Sequence, residues 1–194
     1  MKTIVLASNN VHKIEEFQRI MKDYKILSMR DVGFFDDIVE DGETLLENAL
    51  IKAKTVSLFL KDKNMNYPVV SDDTGLFVPS IGGELGIYSA RYAGDHDSRK
   101  NRDKLRSKIN GKDPSAYFLC QIVYYLVDGD YFECSGRVDG KILDQEIGKK
   151  DFGYDCIFYS NELKKTFGEA SKDEKNQVSH RGRAIVKLLN YLKQ

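Results

Sequence analysis

Two adjacent carboxylates, Asp72 and Asp73, follow the short run Pro68 to Ser71 and precede Thr74-Gly75. At a strand's end, neighbouring side chains leave in opposite directions, so one acid faces inward and the other a cleft. Carboxylate oxygens suit Mg²⁺, which binds through a few carboxylates, retained waters and substrate phosphates. A carboxylate placed there can also take a proton from an attacking water. The alternative is an acidic junction that caps backbone amides. A second acidic stretch, residues 31 to 47, holds seven Asp or Glu and no Lys or Arg. Its Glu40 is a candidate for a further metal ligand, or else part of a solvated loop. Positive charge collects elsewhere, with eight Lys or Arg against four acids in residues 161 to 194. Lys175, His180 and Arg181 lie in that stretch and could supply phosphate donors or simply a solvated face. A metal-bound polyphosphate needs both signs in one cleft. Phe152-Gly153-Tyr154-Asp155 sets rings beside a carboxylate: a ring can stack a nucleobase and a carboxylate can accept from its N–H edge. The same residues also suit a strand start directed into the core. GxSxG, a Cys–His nucleophile spacing and HExxH are all absent from the sequence, and His12, His96 and His180 form no metal motif.

The spacing of apolar residues predicts the elements that carry these groups. Residues 3 to 7 read as a buried strand ended by Ser8-Asn9-Asn10. From Lys13, the positions Ile14, Phe17, Ile20 and Met21 follow helical spacing. A strand, a polar turn and a helix is where α/β proteins place a phosphate, although the turn has neither a Walker loop nor GxGxxG. Thr44 and Glu47 form a capping box, which predicts a helix from there to about Lys61. Residues 68 to 71 then make a short strand that ends at Asp72-Asp73. Gly82 to Gly86 is a glycine-rich loop, and Ser98 to Ile109 a helix. Residues 116 to 127 and 131 to 138 read as a hairpin around Asp128-Gly129-Asp130, and a last helix starts near Gly182. Tyr88, Tyr92, Tyr124, Tyr125 and Phe158 are assigned to the core or a cleft wall.

Composition bounds the function. With 194 residues, 30 Lys plus Arg, 30 Asp plus Glu and 21 Phe plus Tyr, the chain has ample apolar material for one globular domain. Zero net charge argues against holding nucleic acid or an anionic membrane by bulk electrostatics. Cys120, Cys134 and Cys156 lack the spacing of a zinc site and read as free thiols of a cytoplasmic protein. The opening apolar run, Ile4 to Ala7, is too short for a signal peptide, and no stretch is long enough to span a membrane.

Taken together, separated blocks in order resemble the inosine triphosphate pyrophosphatase family, also called Ham1-like or RdgB-like, from Ile4 to about Leu192. They are Ala7-Ser8-Asn9-Asn10 with Lys13; Glu40; Thr44 with Glu47-Asn48-Ala49 and Lys52-Ala53; and Asp72 to Leu76. Gly82-Gly83 through Tyr92, Phe152 to Asp155, and Lys175 through Gly182 complete the set. The resemblance implies an α/β fold: a long mixed central β-sheet flanked by helices, one domain over 1–194 with two lobes and an active-site cleft between them, as a homodimer. It implies Mg²⁺-dependent hydrolysis of ITP, dITP and XTP to the monophosphate and pyrophosphate, removing them from the nucleotide pool. By position, Asp73 is the general base and, with Glu40, a metal ligand; Asp72 supports them. Ser8, Asn9, Asn10, Val11, His12 and Lys13 bind the phosphates together with Lys175. Thr74 contacts substrate, and Phe152, Gly153, Tyr154 and Asp155 with His180 and Arg181 frame the base.

Four positions depart from the family pattern. Leu85 stands where proline is usual, Asp151 and Asn9 where glycine is usual, and Cys156 where proline is usual. Activity is expected to survive these changes, with loop shape and the choice between ITP and XTP altered. The extra carboxylate at Asp151 is expected to weaken anionic xanthine nucleotides, which equal efficiency on XTP and ITP would contradict. Competing readings are a pyrophosphatase for modified pyrimidines or methylated bases, a non-catalytic nucleotide-binding protein, and a structural dimer whose charges only solvate its surface.

Overall fold

A polar break at Ser8 to Asn10 converts the first strand into the first helix, and this alternation organises the chain. The structure, a computed structural model, describes residues 2–94, 96–150 and 152–194. In chain order the elements are β1 (Lys2–Leu6), α1 (Val11–Ile20), β2 (Tyr24–Ser28), α2 (Leu45–Asp62), β3 (Val69–Phe77) and α3 (Ser98–Ile109). They continue with β4 (Ser115–Tyr125), β5 (Tyr131–Ile142), β6 (Phe158–Ser160), β7 (Lys165–Thr166), α4 (Lys172–Val178) and α5 (His180–Leu192). The strands pair in the order β2-β1-β3-β4-β5-β6-β7. β1 runs parallel to β2 and β3, and β6 runs antiparallel to β5 and β7, which makes the sheet mixed, as expected.

The chain divides into two compact units. The first takes the residues through Asp73, then Cys120–Ser135 and Ala184–Gln194. In it, alternate residues of β1 enter different cores. Ile4 and Leu6 pack with Phe17, Met21, Ile185 and Leu188, while Val5 and Ala7 pack with Ala49, Ala53, Val56 and Leu60 of α2. Both faces are therefore covered by helices, which is why β1 reads as a continuous apolar run. β2 escapes the sequence reading because it is a short edge strand whose second residue, Lys25, is exposed.

The second unit takes Thr74–Leu119 and Gly136–Arg183 and has its own core around Leu76, Leu105, Phe118, Val138 and Phe158. Leu85 and Cys156 are fully buried in that core, so two of the departures are apolar filling. Asp151 lies outside the described residues. α3 spans the predicted residues, with the Asp97 carboxylate accepting from the backbone N–H of Arg99 and Lys100. The hairpin also forms, its turn closed by the Leu126 N–H donating to the Asp130 carbonyl at 2.8 Å.

Three expectations need correction. β3 runs on through Asp72-Asp73-Thr74-Gly75 to Phe77, so the acids sit inside a strand and not at its end. The last helix begins at His180 rather than Gly182, and α4 precedes it, capped by Ser171 and Glu174. Phe152 to Asp155 is a turn before β6, not a strand start. Among the described residues, no helix is long and apolar enough to cross a membrane, and the three cysteines are free thiols.

Candidate active site

In the first unit, α2 and β3 assemble a compact set of charges. α2 starts at the expected capping box, with the Thr44 hydroxyl accepting from the Glu47 N–H and the Glu47 carboxylate accepting from the Thr44 N–H. Its buried face reads Leu45, Asn48, Ala49, Lys52, Ala53, Val56 and Leu60, so a lysine and an asparagine interrupt an apolar stripe. Asn48 accepts from the Gly42 N–H at 2.9 Å and holds the acidic loop against the helix. Gly42 must be glycine, because a Cβ there would lie 2.7 Å from the Glu47 Cβ and 2.8 Å from the Asn48 oxygen. That loop delivers Glu40. Lys52, only 7 % exposed, extends its ammonium to Glu40 Oε2 at 2.7 Å and to Asp73 Oδ1 at 3.4 Å. The neighbouring acid takes a different partner: Asp72 Oδ1 is 3.0 Å from Lys13 Nζ, which also donates to the Asp72 carbonyl at 3.4 Å.

Glu40, Asp72 and Asp73 thus lie close together around the ammonium groups of Lys13 and Lys52. Burial pushes the Asp73 carboxyl above its ordinary value against the pull of Lys52 and Lys13, and the nearby Glu40 and Asp72 add to the rise. Burial alone would lower the Lys52 ammonium, but Asp73, Glu40 and Asp72 outweigh it and keep it charged. A carboxylate with raised proton affinity is a better proton acceptor than one in water.

The residues present fit a divalent cation of the Mg²⁺ type. Glu40 and Asp73 already converge on one cationic atom, Lys52 Nζ. Among the described residues no group of three or more His, Cys, Asp or Glu could form an all-protein cage. Two carboxylates completed by water and phosphate oxygens are the usual arrangement for Mg²⁺.

The turn before α1 is also tightly organised. The Asn10 side chain caps the helix by accepting from the His12 and Lys13 N–H groups, and the Asn10 N–H donates to Ser8 Oγ at 3.1 Å. Asn9, where the family pattern has glycine, uses its side-chain oxygen to accept from the Arg30 N–H at 3.0 Å. The departure therefore ties the turn to the segment after β2. Val11 is exposed as the first residue of α1.

The second unit assembles a different set. Lys175 donates to Asp155 Oδ2 at 2.6 Å, and its ammonium lies 4.8 Å from the Phe152 ring centre and 5.6 Å from that of Phe167. Tyr154 donates its hydroxyl to the Ser89 carbonyl at 2.7 Å. The His180 ring stacks on Phe118, with centroids 4.6 Å apart and planes 18° off parallel. Arg181, 1 % exposed, donates to Thr74 Oγ1 at 3.3 Å. His180 and Arg181 are fixed by the sharp corner between α4 and α5. A Cβ on Gly182 would sit 1.9 Å from the Asn176 carbonyl oxygen, so only glycine permits that corner.

The structure therefore joins Glu40 with Asp73, Asp72 with Lys13, Lys175 with Asp155 and Phe152, and Thr74 with Arg181. Lys52 is the residue that reading the sequence undervalued, noted only within a matching block. Its signal was present: a lysine at a helical spacing that places every neighbour on the stripe in the core.

Comparison with known proteins places the chain in a family. The model of the Ham1 family matches residues 4–191. A dITP/XTP pyrophosphatase of Clostridium perfringens (strain 13 / Type A) is 44 % identical over 200 residues, covering 100 % of this chain and 98 % of that protein. The dITP/XTP pyrophosphatase of Thermoanaerobacter pseudethanolicus is 42 % identical over 195 residues, with 97 % and 96 % covered. Among solved structures, the Staphylococcus aureus Ham1 protein superposes with a TM-score of 0.85 at 40 % identity, covering 99 % of this chain and 98 % of that one. With the family model spanning nearly its whole length, the chain belongs to the Ham1 family.

Proposed function

We propose that this chain is a nucleoside triphosphate pyrophosphatase that hydrolyses ITP, dITP and XTP to the monophosphate and pyrophosphate, with Mg²⁺ held by Glu40 and Asp73. The observation that carries this reading is the convergence of those two carboxylates on a single cationic position, Lys52 Nζ. Bound there, Mg²⁺ screens the phosphate oxygens and polarises the phosphorus under attack. The chain's own groups do the rest. Asp73 takes the proton from the attacking water as the bond from the α-phosphorus to the leaving pyrophosphate breaks. Asp72 holds Lys13, and Lys52 keeps Glu40 and Asp73 side by side. Ser8, Asn9, Asn10, Val11, His12 and Lys13 hold the triphosphate, with Lys175 as a further donor.

Thr74, Phe152, Gly153, Tyr154, Asp155, His180 and Arg181 read the base. Donors aimed at a purine O6 would meet the adenine amine as donor against donor, and each buried group left unpaired costs roughly 1 to 3 kcal/mol. The same reading carries the homodimer and the cytoplasmic setting, in which the protein clears deaminated purines from the nucleotide pool.

The test is product analysis on ITP, XTP, dITP, ATP, GTP, CTP and UTP, with and without Mg²⁺. Monophosphate plus pyrophosphate from ITP and XTP, about tenfold or more faster than from ATP and only with the metal, is the expected result. Release of orthophosphate, or no turnover of any nucleotide, would contradict the reading.

A further inference from the structure

The turn proposed to read the base is gripped from behind by a buried arginine outside the family blocks. Arg102 lies on α3 and is 4 % exposed. Its guanidinium forks: NH1 donates to the Gly153 carbonyl at 2.8 Å, and Nε donates to Glu146 Oε1 at 2.8 Å. Glu146 is itself fixed. The next residue's N–H, from Ile147, donates to the Cys156 carbonyl at 2.8 Å, and the Lys149 N–H donates to the Gly168 carbonyl at 2.9 Å. Lys150 adds an ion pair to Glu146 at 2.9 Å. The guanidinium is thus oriented by a carboxylate that is anchored to the backbone on the far side of the turn.

This grip completes a row of anchors on consecutive residues. Gly153 is held through its carbonyl by Arg102, Tyr154 through its hydroxyl by the Ser89 carbonyl, and Asp155 through its carboxylate by Lys175. Gly153 is the member without a side chain, so its position can be set only through the backbone. A planar fork with two fixed donors does this with more geometric precision than an ammonium would. Catalytic and binding constellations tolerate displacements of only about 0.5 Å before discrimination suffers.

We infer that Arg102, oriented by Glu146, is a positioning residue that sets the Phe152–Asp155 turn and thereby the enzyme's preference for a 6-oxo purine over adenine. The inference rests on the proposed function, because it needs that turn to read the base. In this role Arg102 acts through the turn it holds. It also lines a cavity of about 570 Å³ with Arg99, Arg106, Glu146 and Lys150, so water can refill the space that a shorter side chain leaves.

The experiment is the ratio of kcat/KM for ITP to that for ATP, measured on one preparation each of wild type, Arg102→Met, Arg102→Lys and Glu146→Gln. Inactive or unfolded protein cancels in this ratio, so a variant that is merely less stable leaves it unchanged. Arg102→Met is expected to lower the ratio about tenfold, chiefly through a higher KM for ITP with kcat preserved. Arg102→Lys keeps the charge but loses the fork, and should lower it about threefold. Glu146→Gln still accepts from Nε and should stay within about twofold of wild type. A ratio unchanged in both Arg102 variants, whatever their melting temperatures, would overturn the inference and leave Arg102 as a strut. If Arg102→Met does not fold, Arg102→Lys decides by the same criterion. A wild type without preference for ITP would instead overturn the proposed function, and this inference with it.

Discussion

The two sets of charges in this molecule are balanced differently. In the first unit, Glu40, Asp72 and Asp73 share two lysines, and Lys52 serves two carboxylates at once. In the second unit, Lys175 and Asp155 meet at 2.6 Å, backed by the rings of Phe152 and Phe167. A cluster in which two carboxylates crowd one ammonium gains when a further cation arrives; an ammonium–carboxylate contact seated on aromatic rings holds its shape. The first therefore suits metal and phosphate chemistry, and the second suits presentation of a fixed surface to a base.

The sharpest way to break this contrast is to remove the lysine from each. Lys52→Met leaves the half-buried Glu40 and Asp73 without the buried ammonium they share, and should cost about 2 kcal/mol of stability. Millimolar Mg²⁺ should restore part of that loss. Lys175→Met should cost a similar amount, with no recovery on adding Mg²⁺. Thermal unfolding with and without MgCl₂ checks both, and equal rescue of the two variants would erase the distinction.

The two close-approach glycines sharpen it next. Gly182→Ala forces a Cβ into the Asn176 carbonyl and should destabilise the protein by about 2 to 3 kcal/mol. Gly42→Ala crowds Glu47 and Asn48 on an accessible loop, so the loop should move and misplace Glu40. Its cost should appear in kcat more than in melting temperature, measured on the same preparations. A reversed pattern would mean that the loop supports the fold and the α4–α5 corner does not.

The smallest expected effect is a pH dependence. Hydrogen bonds from Lys150 and Arg102 hold the Glu146 carboxyl down at about 2, below its ordinary 4.5. A lowered folded-state value means that its stabilisation is complete above about pH 4.5 and is lost as pH falls toward 2. The stability difference between wild type and Glu146→Gln should thus stay constant from pH 8 to 5 and shrink below that, as read from denaturant midpoints. A difference that grows on acidification would contradict the pairing.

Much of this was legible in the sequence because local rules decided it. The capping box at Thr44 and Glu47, the helix Ser98–Ile109 and the hairpin each rest on signals within a dozen residues. β2 was missed because an edge strand needs little alternation. α4 is hard to read because, beyond the Ser171 and Glu174 capping box, its seven residues carry one apolar side chain, Val178, and so no helical stripe. The acids could be found as a motif, but not their partners. That Asp72 pairs with Lys13, and that Lys52 bridges Glu40 and Asp73, depends on β3 continuing past the acids and on α2 packing beside it. The Arg102 fork is less legible still, since it joins residues 102, 146 and 153 through tertiary packing alone.

The most direct test of the account is the Asp73→Asn variant, assayed on ITP with saturating Mg²⁺ beside wild type. Asparagine keeps the size of the side chain but cannot take the proton. The account predicts a kcat lower by about a hundredfold or more, with the far-ultraviolet circular dichroism and the KM for ITP little changed. Full activity in that variant would remove Asp73 from the chemistry and contradict the account at its centre.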